Sequence, residues 1–255
     1  MPNAVSLPFP VTLRASDDGA PTELRIQVAA RGPLEAPGRE WIERAISSFV
    51  TAASGGMFLP SGSIPVRQSS YRVAHTATDV IWEGRTRGAT LAAYKTFIGV
   101  MCFGARYAVP VKQVAIVSVG GAGRPLSLET VLAPSNEPRL PTSLPFPVVR
   151  EEPERYDKNR KVHVEFAAPP NTDQFAAAAK AVAAWDTLCL GGFPPNDQAP
   201  EESGIAPGEI YLVDAYTLEH PIPLFEASEA AFNAIVNYAA SLHDRGTAIR
   251  GVVIA

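Results

Sequence analysis

Leu24, Ile26 and Val28 alternate with Arg25 and Gln27. A period of two predicts a β-strand with one face buried and the other polar. The period then lengthens. Trp41, Ile42, Ala45, Ile46, Phe49, Val50 and Ala53 recur at the spacing of one helix face. Gly55 and Gly56 supply the stop, because glycine takes the left-handed cap conformation without a Cβ clash. Two β-rich runs follow, SYRVAHTA (70–77) and DVIWEGRTR (79–87), close enough to form a hairpin. Thr90 is placed to cap a second helix that carries Leu91, Tyr94, Phe97, Ile98, Met101 and Cys102 on one side. The strand QVAIVSV closes this part of the chain.

The same order of periods recurs in the second half. The strand is KVHVEFAA. Thr172 is the predicted cap of a helix through Phe175, Val182, Trp185 and Leu188, stopped by Gly191 and Gly192. EIYLVDAYT and PIPLFEA are the predicted hairpin, with His220 and Pro221 at its turn. Ser228 is the predicted cap of a helix through Phe232, Ile235, Val236, Ala239 and Leu242, ended by Gly246, and AIRGVVIA is the last strand.

Literal repetition supports the parallel. SLPFPV stands at residues 6–11 and again at 143–148. Weaker matches keep their order behind it: LRIQVAA with VHVEFAA, SGGMFLP with LGGFPP, TLAAYKTFIGVMCF with SEAAFNAIVNYAAS, and QVAIV with RGVVI. The expected fold is therefore α+β. It consists of two tandem ferredoxin-like (βαββαβ) units from an internal duplication, each an antiparallel sheet with helices on one face. The expected boundaries are 1–119 for the first unit, 120–142 for a Gly/Pro-rich linker and 143–255 for the second. FPVTLRAS with the turn DDGAPT, and FPVVREEPERYDKN in the second half, are expected to extend each first strand into an extra hairpin.

A sheet covered on one side has an open face. Arg25 and Gln27, with Glu83 and Arg85 from the hairpin, fall on that face in the first half. His163 and Glu165, with Asp214 and Tyr216, fall there in the second. Either the two open faces meet across a polar pocket as a pseudo-dimer, or both face solvent or a partner; the pseudo-dimer is the preferred arrangement, because tandem copies are held at high effective concentration.

Composition narrows the classes. The chain has 255 residues, of which 46% are hydrophobic and 19% charged, enough to bury a core. A net charge of -4 makes nucleic acid an unlikely partner, since binding phosphate requires clustered Lys and Arg. Cys102 and Cys189 form no disulfide framework or zinc spacing and read as small buried hydrophobes. No continuous apolar run is long enough to span a membrane, and the N-terminal stretch lacks a basic region followed by an apolar one, so a cytoplasmic protein is expected.

Candidate chemistry is sparse. His163 and Glu165 share one strand face and, with Asp214 or Glu226, offer an acid–base pair or part of a metal site, but the sequence supplies no third ligand position. His75, His220 and His243 have no counterparts across the repeat. SVGGAGRP lacks the helix and the Lys-Ser/Thr that a phosphate loop needs. No cofactor and no metal are expected. The leading functional expectation is a non-catalytic binding protein that presents Arg25, Gln27, Glu83, Arg85, His163, Glu165 and Tyr216, or a groove between the units, to a protein or small molecule. The alternative is an enzyme with His163, Glu165 and Asp214 in a pocket between the sheets.

Overall fold

The computed structural model describes residues 7–59, 71–121, 123–152, 158–195 and 198–255. Its first sheet is built from β1 (Val11–Ala15), β2 (Thr22–Ala30), β3 (Arg72–His75), β4 (Asp79–Thr86), β5 (Val111–Ser118) and β6 (Arg124–Pro125), in the order β3-β4-β2-β5-β1-β6. Helices α1 (Ala36–Gly55) and α2 (Leu91–Tyr107) cover one face, and α3 (Leu128–Leu132) follows. The second sheet takes β7 (Val148–Arg150), β8 (Arg160–Phe166), β10 (Tyr211–Leu212), β11 (Thr217–Ile222) and β13 (Ile249–Ile254), in the order β10-β11-β8-β13-β7. Its helices are α4 (Thr172–Cys189) and α5 (Ala230–Asp244). β9 (Gly204–Ala206) and β12 (Leu224–Glu226) form a separate two-stranded ribbon. The protein is thus α+β, with two mixed sheets and five helices among the described residues. No helix among these residues is long and apolar enough to cross a membrane.

The two sheets share a pattern. β2 is antiparallel to β4 and β5, and β8 is antiparallel to β11 and β13. β1 lies parallel to β5, and β7 lies parallel to β13, so neither forms the expected hairpin with the strand that follows it; each adds to the sheet beyond the closing strand instead. The two SLPFPV copies lead into β1 and β7 and do the same job. Phe9 and Phe146 are buried in the core. The carbonyl of Pro10 accepts from the Val114 N–H, and that of Pro147 accepts from the Val252 N–H, each at 3.1 Å. Proline gives up its own N–H but keeps a carbonyl to begin a parallel ladder.

Local signals mostly act as the sequence predicts. The Thr90 side chain accepts from the Ala93 N–H at the start of α2. Gly56, at φ +92°, ends α1 in the left-handed region. Asn171, rather than Thr172, caps α4, in a reciprocal capping box with Gln174. Helix α5 begins at Ala230 behind Glu229, one residue later than the Ser228 cap predicts.

The second hairpin departs from expectation. β10 pairs with β11 through a turn at residues 213–216, and Leu224–Glu226 pairs instead with β9. His220 therefore lies inside a strand, not at a turn. Pro221 is tolerated in β11 because it lies beyond the stretch that pairs with β10, so no ladder donor is required of it on that side, and its carbonyl accepts from the Gly208 N–H at 2.7 Å.

The largest correction concerns how the halves meet. The open sheet faces do not face each other. α1 packs on α4, with further contacts between α2 and α4 and between α1 and α5, so the layers run sheet, helices, helices, sheet. One continuous hydrophobic cluster crosses this seam. The apolar helix stripes hold more buried surface than the polar strand faces, so burial favours helix-to-helix docking. Polar ties add to it: the buried Asn237 side chain on α5 donates to the carbonyls of Met57 (3.2 Å) and Arg139 (3.0 Å). Small residues bring the backbones close. A Cβ on Gly99 of α2 would stand 2.2 Å from the carbonyl oxygen of Gly191, just after α4.

Candidate functional site

The outer face of the second sheet gathers most of the titratable candidates. β8 turns Val162, Val164 and Phe166 inward and leaves Lys161, His163 and Glu165 on the outer face. Glu219 on β11 stands opposite His163 in the register. Its carboxylate sits 2.7 Å from His163 Nε2, accepts from the Tyr211 hydroxyl, and lies 3.8 Å from Lys161 Nζ. Glu219 is only 6% exposed although it lies on an outer face, because these neighbours cover it. The Tyr211 hydrogen bond, helped by His163 and Lys161, holds its carboxyl below the usual range against the opposing effect of burial. The same bond raises the Tyr211 phenol.

The predicted trio does not converge. His163 engages Glu219, whereas Glu165 accepts from Arg250 Nε at 3.1 Å. Asp214 lies in the β10–β11 turn, where it accepts from the Tyr216 N–H at 2.6 Å and from the Thr217 hydroxyl; the Tyr216 bond lowers its carboxyl. Tyr216 is an exposed turn residue. Glu226 lies on the separate ribbon, paired with Lys158. Helices fill the space between the sheets, so no pocket there is lined by the outer faces. Among the described residues no group of three or more His, Cys, Asp or Glu side chains is arranged to hold a metal ion.

The outer face of the first sheet pairs its own polar groups. Arg25 lies 3.4 Å from Glu83, and Gln27 donates to Asp79 at 2.8 Å. Arg85 is exposed and stands opposite Glu23 in the register. Of the other histidines, His75 pairs with Glu43 on α1 at 2.8 Å, and His243 Nδ1 accepts from the Ile249 N–H at 3.1 Å.

Inside the second half is a pair that the sequence reading missed. His220, buried under the edge of Trp185, reaches Asp186 of α4 through Nε2 at 2.7 Å. Burial raises the Asp186 carboxyl, and the His220 contact opposes that shift. Burial likewise pushes the Cys102 thiol up to about 12 and the Cys189 thiol upward, which keeps both as inert core groups. Placing His220 at a turn hid this pair. The alternation of Leu218, His220 and Ile222 against Glu219 and Pro221 was the available signal.

A concavity lies at the seam between the halves. A groove of about 300 Å³ is walled by α1 (Glu43, Arg44, Ile46, Ser47), by Tyr71 with β3 and β4 (Val73, Val80, Trp82), and by Lys180 of α4. Tyr71 stacks on Trp82 with ring centroids 6.2 Å apart, yet Tyr71 is 58% exposed. Arg44, Ser47 and Lys180 also border a second hollow of about 230 Å³ that continues along α1 and α4 to Thr51 and Thr187. Neither Arg44 nor Lys180 has an ion-pair partner among the described residues. No motif marks this groove in the sequence. It exists only because α4 docks beside α1, a contact between distant parts of the chain.

No family model matches the chain, and no curated protein matches it. Two solved structures are similar over 92% of this chain at low scores. A protease from Helicobacter pylori is 8% identical, with 80% of that chain covered and a TM-score of 0.19. A mutant of the ferredoxin protease FusC in complex with Arabidopsis ferredoxin is 9% identical, with 37% of that chain covered and a TM-score of 0.17. At such scores neither likeness carries an argument about fold or function.

Proposed function

We propose that the chain is two ferredoxin-like units descended from one duplicated sequence, and that it is a non-catalytic binding protein whose ligand seat is the groove at the seam. The matching strand orders, the equivalent Pro10 and Pro147 hydrogen bonds and the repeated SLPFPV support the duplication. A single observation carries the binding reading. The seam groove combines exposed aromatic surface with the cations Arg44 and Lys180, which have no ion-pair partner among the described residues, whereas the polar groups of both outer faces are largely engaged with one another. A concave site lined by aromatics and a few charged groups is the usual form of a ligand pocket. The alternative enzyme reading draws no support from His163, Glu165 and Asp214, each of which is tied to a different partner.

The test is amide chemical-shift mapping of the labelled protein against a panel of amino acids, nucleotides and short peptides. Binders are expected to shift Ser47, Val73 and the Trp82 indole. A binder that shifts Lys161, His163 and Glu219 instead, or turnover of any panel member, overturns the reading.

A further inference from the structure

The edge of the first sheet borders this groove. β3 is the terminal strand in the order β3-β4-β2-β5-β1-β6 and, among the described residues, has a ladder neighbour on one side only. Arg72, Val73 and His75 are exposed and Ala74 is half-buried. Alternate residues of such an edge turn both backbone groups outward and can template another strand. Hollows flank both faces of this edge. The seam groove lies on the helix side, bordered by Tyr71 and Val73. A hollow of about 220 Å³ lies on the outer side, bordered by Arg72 and Ala74.

A strand added here alternates its side chains between the two hollows. Their charge selects what it carries. Glu43 is engaged by His75, and Glu83 by Arg25. Arg44, Arg72 and Lys180 have no ion-pair partner among the described residues, so the lining carries uncompensated positive charge in a protein of net charge -4. The exposed Tyr71 ring, with Val73 and Trp82, supplies an apolar floor.

We propose that the outer edge of β3 accepts an extended acidic peptide as an added strand, with its carboxylates met by Arg44, Arg72 and Lys180 and its apolar side chains seated on Tyr71, Val73 and Trp82. This inference rests on the seam groove being the ligand seat. Backbone ladder bonds supply affinity in such a complex, and alternate pockets supply selectivity.

The probe is a fluorescein-labelled peptide of about seven residues in the order Glu-Glu-Val-Val-Glu-Glu-Val, which puts glutamate and valine on both faces of the added strand and is long enough to pair with the whole edge, read by fluorescence anisotropy at low salt. Three controls accompany it: the lysine–valine counterpart, a version N-methylated at alternate residues, and the variant carrying Arg44→Glu, Arg72→Glu and Lys180→Glu. All three sites are exposed, so the variant is expected to melt at the wild-type temperature. Each control is expected to weaken binding by about tenfold or more, the scale of one lost charge-assisted contact. Undiminished binding of the N-methylated peptide rules out strand addition while leaving the groove as the seat. Equal binding of the lysine peptide, or by the charge-reversed protein, rules out acidic selection. If the glutamate–valine peptide does not bind while another panel compound shifts Val73 and Trp82, the peptide proposal fails and the groove reading stands. If nothing shifts those residues, both fail.

Discussion

Gly99→Ala is expected to destabilise the protein by about 2 kcal/mol, although alanine is the better helix former. Two effects of opposite sign compete at this position. Gly99 lies inside α2, where replacing glycine with alanine normally gains up to about 1 kcal/mol in helix propensity. The new methyl, however, would stand 2.2 Å from the carbonyl oxygen of Gly191 and 3.2 Å from the Cα of Gly192. Both are backbone atoms, which cannot rotate aside. Gly191 is itself held at φ +82° and is close in return, with its own Cβ position 2.6 Å from the Gly99 carbonyl oxygen. Overpacking against a rigid neighbour costs roughly 1–3 kcal/mol, and more when backbones must separate. Steric cost therefore exceeds propensity, and the sign of the change reports the seam directly. Urea denaturation measures it. A variant about 1 kcal/mol more stable than wild type would mean that α2 does not touch the end of α4.

Glu219→Gln is expected to cost about 2 kcal/mol at neutral pH, and the loss should fade on acidification. The Glu219 carboxylate accepts from Tyr211 and is paired with His163 and Lys161. Hydrogen bonds to a charged group contribute about 1.5–3 kcal/mol when one partner is removed. The amide retains an acceptor oxygen but presents N–H groups to neighbours that are themselves donors. The pH dependence follows from linkage. The folded-state pKa of Glu219 lies below its ordinary 4.5, chiefly through Tyr211. Such a group contributes stability that is fully present above its unfolded pKa and is lost as pH falls through the folded value. The gap between wild type and variant should therefore be widest near neutrality and close at the acidic end, where wild-type Glu219 is itself protonated. Parallel urea titrations from neutral to acidic pH would show it. A gap that stays constant or widens on acidification would mean that Glu219 is not held as a carboxylate by this cluster.

Much of the fold was legible because local signals are short-ranged. Alternation at Leu24, Ile26 and Val28, the helical stripe from Trp41 to Ala53 and the glycine stop at Gly56 each act within a few residues. The second hairpin was misplaced because Pro221 carries a strong turn signal that a strand overrides once its carbonyl finds Gly208. The candidate site was only partly legible. Period-two alternation put His163 and Glu165 on one outer face, but the partner that matters, Glu219, is brought opposite His163 by the pairing of β8 with β11. Sequence reasoning also preferred the wrong surfaces for docking the two halves. The polar open faces drew attention because they carry chemistry, whereas the apolar helix stripes gain more by burial and form the joint. Arg44, Tyr71 and Lys180 become neighbours only after that docking, so no spacing rule could have grouped them.

Both functional proposals depend on this helix-to-helix joint. The most direct test is a pulsed electron–electron distance measurement between spin labels on the two outer faces, at Arg25→Cys and Lys161→Cys. Both sites are exposed, and the native Cys102 and Cys189 are buried away from the label. Two sheet-to-helix layers and one helix-to-helix layer, each about 10 Å thick, put the labels roughly 30 Å apart or more. Sheets packed face to face would bring them to within roughly 10–20 Å, and that result would contradict the account.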